Sequence, residues 1–398
     1  MLYFDHNATS PLIPAAREAW LDAVAQYIGN PSSPHRLGAR AEAALTQARE
    51  KLAGFLGCES EAIVWTSGAT ESNNAVLHHA AQTGAGELWI SSIEHPCVLA
   101  AAARYFPNRT RRIPVTPDGV VEVAWLTDAL SKNRPVLVGV MAANNETGVL
   151  QPWRKIAALC REHDVPYFCD AAQWIGKLPA VGLGACEFVS GCAHKFGGPQ
   201  GVGFLKVPAG FRPLIVGGPQ EENRRAGTEN VAGILAMIAA LEQRESKANW
   251  GSEAKWDGEA PAEPTLPANG SAGASPSRRL ALRADFEHRL MSSLPGAQIL
   301  GVSADRLWNT VSVVMPEVAD CRQRWVVKLD KLGFAVSTGS ACASGKEQPS
   351  HVLSAMGIEP AEAGRVLRFS SGWETREVDW DELLGGLQRA FTELSAAR

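Results

Sequence analysis

Short apolar runs alternate with longer stretches of helical period across residues 16–244. The runs at 62–66, 87–92, 135–142, 165–170, 185–190 and 201–207 are β-rich and nearly continuous in apolar side chains. Continuous runs of that length predict strands buried on both faces. Between them, Leu45, Ala48, Leu52 and either Phe55 or Leu56 fall on one helical face, with Gly57 placed to end the helix. Pro96 and Pro152 stand where first helical turns should open. Alternation of this kind predicts an α/β domain with a central, mostly parallel sheet flanked by helices. In such sheets ligands collect at the carboxyl ends of the strands.

The alternation stops at 245–277, a tract rich in Pro, Ala, Gly and Ser that predicts a low-complexity, flexible insertion. Periodicity returns over 278–398. There the pattern predicts helices at 278–293 and 321–332, a strand at 309–315, a short helix after Pro349, a strand at 365–370 and a last helix at 377–396. That is a smaller α+β domain. Residues 1–15 are expected to pack with it, near the cleft shared with the large domain.

Composition narrows the function. The chain has 398 residues, 45% hydrophobic and 20% charged, with a net charge of -4. This is an ordinary globular balance with length for more than one domain. No basic block or stripe offers a nucleic-acid surface. No apolar run approaches the roughly 20 residues of a membrane span. The start, Met1-Leu2-Tyr3-Phe4-Asp5-His6, carries an acid where a signal peptide needs an apolar stretch, so the expected location is cytoplasmic. None of the eight cysteines shows C-x-x-C spacing, which argues against a zinc site or a disulfide framework. Cys160, Cys169 and Cys186 lie among apolar neighbours and read as core.

Cys342 is different. It stands in Ser337-Thr338-Gly339-Ser340-Ala341-Cys342-Ala343-Ser344, among small and hydroxyl-bearing residues with nothing bulky to bury it. A reactive thiol must be reachable, because the thiolate is the nucleophile. Lys195 sits just past a predicted strand end and before the turn Gly197-Gly198-Pro199-Gln200-Gly201. It precedes the glycines and no G-K-[ST] follows them, so this is not a P-loop. A partly desolvated lysine there suits Schiff-base chemistry, since its amine must lose charge to attack a carbonyl. Ser67-Gly68-Ala69-Thr70-Glu71 follows a predicted strand and opens a helix, leaving backbone N–H groups for a phosphate. Asp170 ends a strand, where a carboxylate can pair with a protonated ring nitrogen. His95 lies at the end of another, where an imidazole can stack on a flat cofactor or shuttle protons. Lysine, carboxylate, imidazole and phosphate cup together describe a pyridoxal 5'-phosphate site.

With those residues in place, the chain resembles the cysteine desulfurases of the nitrogen-fixation and housekeeping iron–sulfur type, within the class V aminotransferase-like, fold type I pyridoxal-phosphate enzymes. The matching segments are 3–11 (YFDHNATSP), 29–35 (GNPSSPH), 66–73, 94–95, 144–148 (NNETG), 170–173 (DAAQ), 194–203, 224–230 (RRAGTEN), 337–344 and 368–372 (RFSSG). The resemblance implies Lys195 as the Schiff-base lysine and His95 as the ring stacker. It implies Asp170 at the ring nitrogen and Gln173 and Asn145 at the 3′-oxygen. Ala69, Thr70, Cys192 and His194 would line the phosphate, and Thr228 would reach the phosphate of the other subunit of a homodimer. Arg368, helped by Asn30, would hold the carboxylate of L-cysteine. Cys342 would take the sulfur as a persulfide, leaving L-alanine, and pass it to an iron–sulfur scaffold or another acceptor protein.

One departure stands out. Relatives usually carry Ser where this chain has Cys192, and a thiol is a weaker donor to phosphate. Two alternatives stay open at this point: another class V enzyme, an aminotransferase or a selenocysteine lyase, and a non-catalytic subunit of a sulfur relay. An aminotransferase has no use for a nucleophilic Cys342, and a docking platform should tolerate loss of Lys195 or Cys342, yet both are intact.

Overall fold

The computed structural model describes residues 1–247, 276–318, 321–339 and 350–396. In chain order the elements up to the break are β1 (Leu2–Tyr3), α1 (Pro14–Gln26), α2 (Arg36–Leu56), β2 (Ile63–Thr66), α3 (Ala69–Thr83), β3 (Leu88–Ser91), α4 (Pro96–Tyr105), β4 (Thr110–Ile113), α5 (Val123–Lys132), β5 (Leu137–Gly139), α6 (Trp153–Glu162), β6 (Tyr167–Asp170), β7 (Phe188–Cys192), β8 (Gly203–Lys206) and α7 (Val231–Lys247). After it come α8 (Pro276–Ser293), β9 (Gln298–Ile299), β10 (Thr310–Val314), α9 (Cys321–Lys331), β11 (Phe334–Ala335), α10 (His351–Ala355), α11 (Pro360–Ala363), β12 (Val366–Ser370) and α12 (Glu377–Ala396).

The central sheet runs β2-β8-β7-β6-β5-β3-β4. Every neighbouring pair is parallel except those made by β8, which is antiparallel to both β7 and β2. The α/β architecture expected from the alternation is therefore present. The six apolar runs coincide with β2, β3, β5, β6, β7 and β8, and nearly every residue in them is buried. Two-sided burial explains why they lack a period of two. Strand β4, Thr-Arg-Arg-Ile, has no apolar run to announce it. It is an edge strand, and charged side chains are tolerated there because one side faces water.

Helix α2 buries Leu45, Ala48, Leu52 and Leu56 and ends at Gly57, whose φ of 74° is the left-handed conformation of a helix stop. Each buried leucine contributes roughly 1.5–3 kcal/mol. Pro96 opens α4, as its position predicts, whereas Pro152 is the residue just before α6. Cys160, Cys169 and Cys186 are all buried, in line with their core reading.

The second unit is a three-stranded antiparallel sheet, β12-β10-β9, covered by α8, α9 and α12. Phe286, Trp325, Phe369 and Trp380 belong to its core. The first residues of the chain join this unit. Strand β1 pairs in parallel with β11, and Asp5 bridges to Ser370 just beyond. Most of the 245–277 insertion lies outside the described residues, between the end of α7 at Lys247 and the start of α8 at Pro276.

Candidate active site

A cavity of about 550 Å³ opens at the carboxyl ends of the parallel strands. It is lined from β2, β3, β5, β6 and β7 or the turns just after them, and from the N-terminal segment and β12.

The phosphate end is built from backbone. Gly68 precedes α3 with a φ of 152° and caps it with no side chain, so helical N–H groups beyond that of Ala69 are left for a ligand. The turn rests on β8: a Cβ on Gly203 would come 2.6 Å from the Gly68 Cα, so only glycine fits there. Ala69, Thr70, Cys192 and His194 all line this part of the cavity. The Cys192 thiol is pushed up to about 11, mainly by burial, and its sulfur accepts the Ala69 N–H. Burial, with Lys195 and Lys177 nearby, lowers His194 to about 4, which keeps it neutral. Its Nδ1 lies 3.3 Å from the Thr9 hydroxyl.

Along the cavity floor, Asp170 closes β6 with both oxygens engaged. Oδ2 accepts from Asn73 Nδ2 at 2.7 Å and Oδ1 from the Ala172 N–H at 3.0 Å. His95 is not at a strand end, as the sequence implies, but four residues past β3, as the cap of α4. Its Nδ1 accepts the Cys97 N–H at 3.2 Å, which leaves the ring proton on Nε2. Burial lowers its basicity, against the pull of Asp170. Next to it in sequence is Glu94, fully buried, whose Oε1 accepts from Ser91 Oγ at 2.5 Å and the Met141 N–H at 2.9 Å while Oε2 has no partner among the described residues. Burial raises its carboxyl to about 8. The Cys97 thiol, 3.0 Å from His95 Nδ1, is pushed up to about 12 by burial first and Asp170 second.

Lys195 follows β7 on a short turn and points into the cavity. Its Nζ donates to the carbonyls of Asn7 (2.7 Å) and Ala8 (2.9 Å). Burial, reinforced by Arg368, lowers its pKa below the ordinary lysine value. Among the described residues no carboxylate pairs with it directly, so the amine is held by neutral acceptors.

The far end is assembled from distant segments. Arg368, in mid-β12, is buried and pairs with Asp5 Oδ1 at 2.6 Å. It also donates to the carbonyls of Asn145 (2.8 Å) and Gly339 (3.0 Å), while its Nε has no partner among the described residues. Asn145 and Gln173 line the cavity between these ends. Asn30 and Thr228 do not line it, and both are exposed. Cys342 lies outside the described residues, in the segment between Gly339 and Ser350.

Several residues of the site had no signal of their own in the sequence. Asn7 is the clearest. Its carbonyl accepts from Lys195 and from Gln173 Nε2 (2.9 Å), its Nδ2 donates to Asn145 O (3.2 Å) and Thr310 Oγ1 (2.9 Å), and its Oδ1 accepts from Asn309 Nδ2 (3.2 Å). Asn73, Glu94, Cys97 and Lys177 are others.

An α/β sheet with a lysine, a carboxylate and a helix N-terminus converging at its strand ends defines a fold type I, class V aminotransferase architecture. Residues 2–259 match the family described as Aminotransferase class-V, and the chain belongs to that family. A cysteine desulfurase of Klebsiella pneumoniae is 38% identical over 403 residues, spanning 99% of this chain and 94% of the relative. A solved structure described as a NifS-like protein has a TM-score of 0.84 at 29% identity, covering 99% of this chain and 100% of that one. Another, described as SspA in complex with cysteine, has a TM-score of 0.75 at 28% identity, covering 93% and 98%. Within the class, the chain is a member of the cysteine desulfurase family.

Proposed function

We propose that this protein is a pyridoxal-phosphate-dependent cysteine desulfurase that takes the sulfur of L-cysteine onto Cys342 and releases L-alanine. The observation that carries the reading is the convergence of Lys195, Asp170, His95, the bare N-terminus of α3 and Arg368 on one cavity. Those residues fit the cofactor. Uncapped N–H groups suit a phosphate, a carboxylate suits a ring nitrogen, and a lysine of lowered basicity suits a carbonyl. When bound, pyridoxal phosphate supplies an electron sink that loosens the Cα proton and weakens the Cβ–S bond of an amino acid.

The chain's own residues do the rest. Lys195, less basic than a free lysine, has neutral amine available to attack a carbonyl and later to carry a proton. Asn7 and Ala8 hold its Nζ in place by their carbonyls. Asp170 would keep a ring nitrogen protonated, and Asn73 fixes the direction of that carboxylate. His95 presents Nε2–H at the cavity. Gln173 and Asn145 would bond the 3′-oxygen, and Ala69, Thr70, Cys192 and His194 the phosphate. Arg368 would exchange its Asp5 contact for the substrate carboxylate, a bidentate match for a guanidinium. A thiolate at Cys342 would then attack the substrate sulfur. The Sγ–S bond forms as the Cβ–S bond breaks; the bonding pair stays on Cβ, which takes a proton to complete the methyl group of alanine.

Burial raises Cys97 to about 12 and Cys192 to about 11, so both stay protonated and do not compete for the sulfur. A homodimer in which Thr228 serves the neighbouring subunit, with delivery of sulfur to an iron–sulfur scaffold or another acceptor protein, completes the reading. The test is alanine formation from L-cysteine. Wild type should be active, and Cys342→Ser and Lys195→Ala should each lose at least about 10²-fold. Full activity in Cys342→Ser would sink the persulfide route; 2-oxo acid in place of alanine would favour an aminotransferase.

A further inference from the structure

Lys177 is a second buried lysine beside the cavity. It is 3% exposed, on the turn that follows β6, one helical turn beyond Gln173. Among the described residues no carboxylate pairs with it. Its Nζ donates to Gln173 Oε1 and, at 3.3 Å, to Asn7 Oδ1. The charged groups it meets are Lys195 and Arg368, both cationic, with the Cys192 thiol also near; burial and these two cations hold its basicity well below the ordinary lysine value. Its backbone is pinned too: its carbonyl accepts from Trp308 Nε1 at 2.9 Å, and the preceding Gly176, with a φ of 75°, lies against Phe196. A lysine kept in such a place, at the cost of desolvation and with no counter-ion, calls for a role.

The Gln173 amide supplies one. Oxygen and NH2 have the same shape, so only the partners decide which way the group faces. Turned one way, Oε1 meets a donor at Lys177 and Nε2 donates to Asn7 O at 2.9 Å. Turned the other way, the oxygen would face the Asn7 carbonyl and lose that contact, while the NH2 would face Nζ and have to compete with the amine's own N–H donors. The first arrangement spends one N–H of Nε2 on Asn7 and leaves the second for the cavity that Gln173 lines.

We propose that Lys177 is a positioning residue, whose amine fixes the Gln173 amide with its donor side toward Asn7 and the cavity, so that a hydrogen-bond donor is always presented to the cofactor's ring oxygen. The same amine also ties Asn7, whose carbonyl receives Lys195, into one connected set. The part of this that concerns the ring oxygen rests on the pyridoxal-phosphate reading; the orientation of the amide does not.

The experiment therefore has two arms. In apoprotein labelled with [15N]glutamine, the Gln173 side-chain signal is assigned by its absence in Gln173→Leu. Wild type should show one slowly exchanging NH2 proton, and Lys177→Met should lose that protection. An unchanged signal in Lys177→Met overturns the proposal without reference to any cofactor. In the second arm, pyridoxal phosphate binding to apoprotein and the pH midpoint of its visible absorption are measured for Lys177→Met, Gln173→Leu and the double variant. Each single variant should weaken binding by about fivefold to tenfold and shift the midpoint. The double variant should be no worse than Gln173→Leu alone, because both changes remove one contact. Additive losses mean that Lys177 acts elsewhere and overturn the proposal. Wild type that binds no pyridoxal phosphate defeats the functional reading instead, and the amide signal still decides the orientation. Should Lys177→Met fail to fold, Lys177→Gln keeps a polar group there; it accepts either amide orientation and should give partial protection, whereas full protection overturns the proposal.

Discussion

The two ends of the cavity are made in different ways. The phosphate end comes from one domain and mostly from backbone: the start of α3, the close approach of Gly68 to Gly203, and the turn after β7. The carboxylate end joins three separate stretches, with the side chains of Asp5 and Asn7 near the start and of Arg368 in β12 meeting around the Asn145 carbonyl after β5. The first should keep its shape through large changes in the small domain. The second exists only when the N-terminal segment, the seven-stranded sheet and the three-stranded sheet are all in register. Cofactor retention and substrate recognition should therefore be separable by mutation.

Arg368→Ala is the strongest test of that separation. It leaves Asp5 beside the cavity without its cation and should cost about 3 kcal/mol of stability, the low end for breaking a buried pair because Asp5 keeps some water. Activity per KM should fall more than about 10²-fold, while the pyridoxal phosphate dissociation constant stays within about twofold. Urea unfolding and equilibrium dialysis read both quantities. Equal losses at both ends would mean that the two are one unit.

Cys192→Ser probes the other end. A hydroxyl is a better donor than a thiol, so cofactor binding should tighten by about twofold to tenfold with the KM for cysteine unchanged. An unaltered dissociation constant would show that the backbone cup holds the phosphate without this side chain.

Glu94→Gln touches neither end and should leave both constants near wild type, altering the pH profile of stability instead. Folding raises Glu94 from an ordinary value of 4.5 to about 8. Between those values the folded protein keeps a proton that the unfolded chain has released, so stability is lost as pH rises through that window. Glutamine abolishes the slope. Thermal or urea unfolding should find the variant relatively more stable by about 4 kcal/mol above pH 8 than near pH 4.5. A profile parallel to wild type would show that Glu94 ionises normally.

The same contrast between ends governs what could be seen in the sequence. The phosphate cup, Asp170 and Lys195 are local signals, each a strand end followed by small residues, and a one-dimensional pattern is enough to find them. His95 falls four residues past the strand because its Pro96 starts a helix; the imidazole caps that helix and does not end the strand. Strand β4 escaped because charge at a sheet edge hides the apolar alternation. Asn7, Lys177 and the Asp5–Arg368 pair were invisible for a deeper reason. Their partners lie up to 363 residues away, and nothing in the residues around Lys177 says that this lysine is buried when most lysines are not. Arg368 could be placed only by resemblance, and its present hold on Asp5 not at all.

The parallel pairing of β1 with β11 has a consequence for how the protein is born. Leu2 and Tyr3 leave the ribosome some 332 residues ahead of their strand partners Phe334 and Ala335. At about 5–20 residues per second, the first strand waits on the order of tens of seconds for its partner. Asn7, a few residues further on, cannot reach Thr310 and Asn309 until then. The lysine that leans on Asn7 is thus in its final setting only after residues 309 and 310 have emerged, so the seven-stranded sheet can form before the active centre matures.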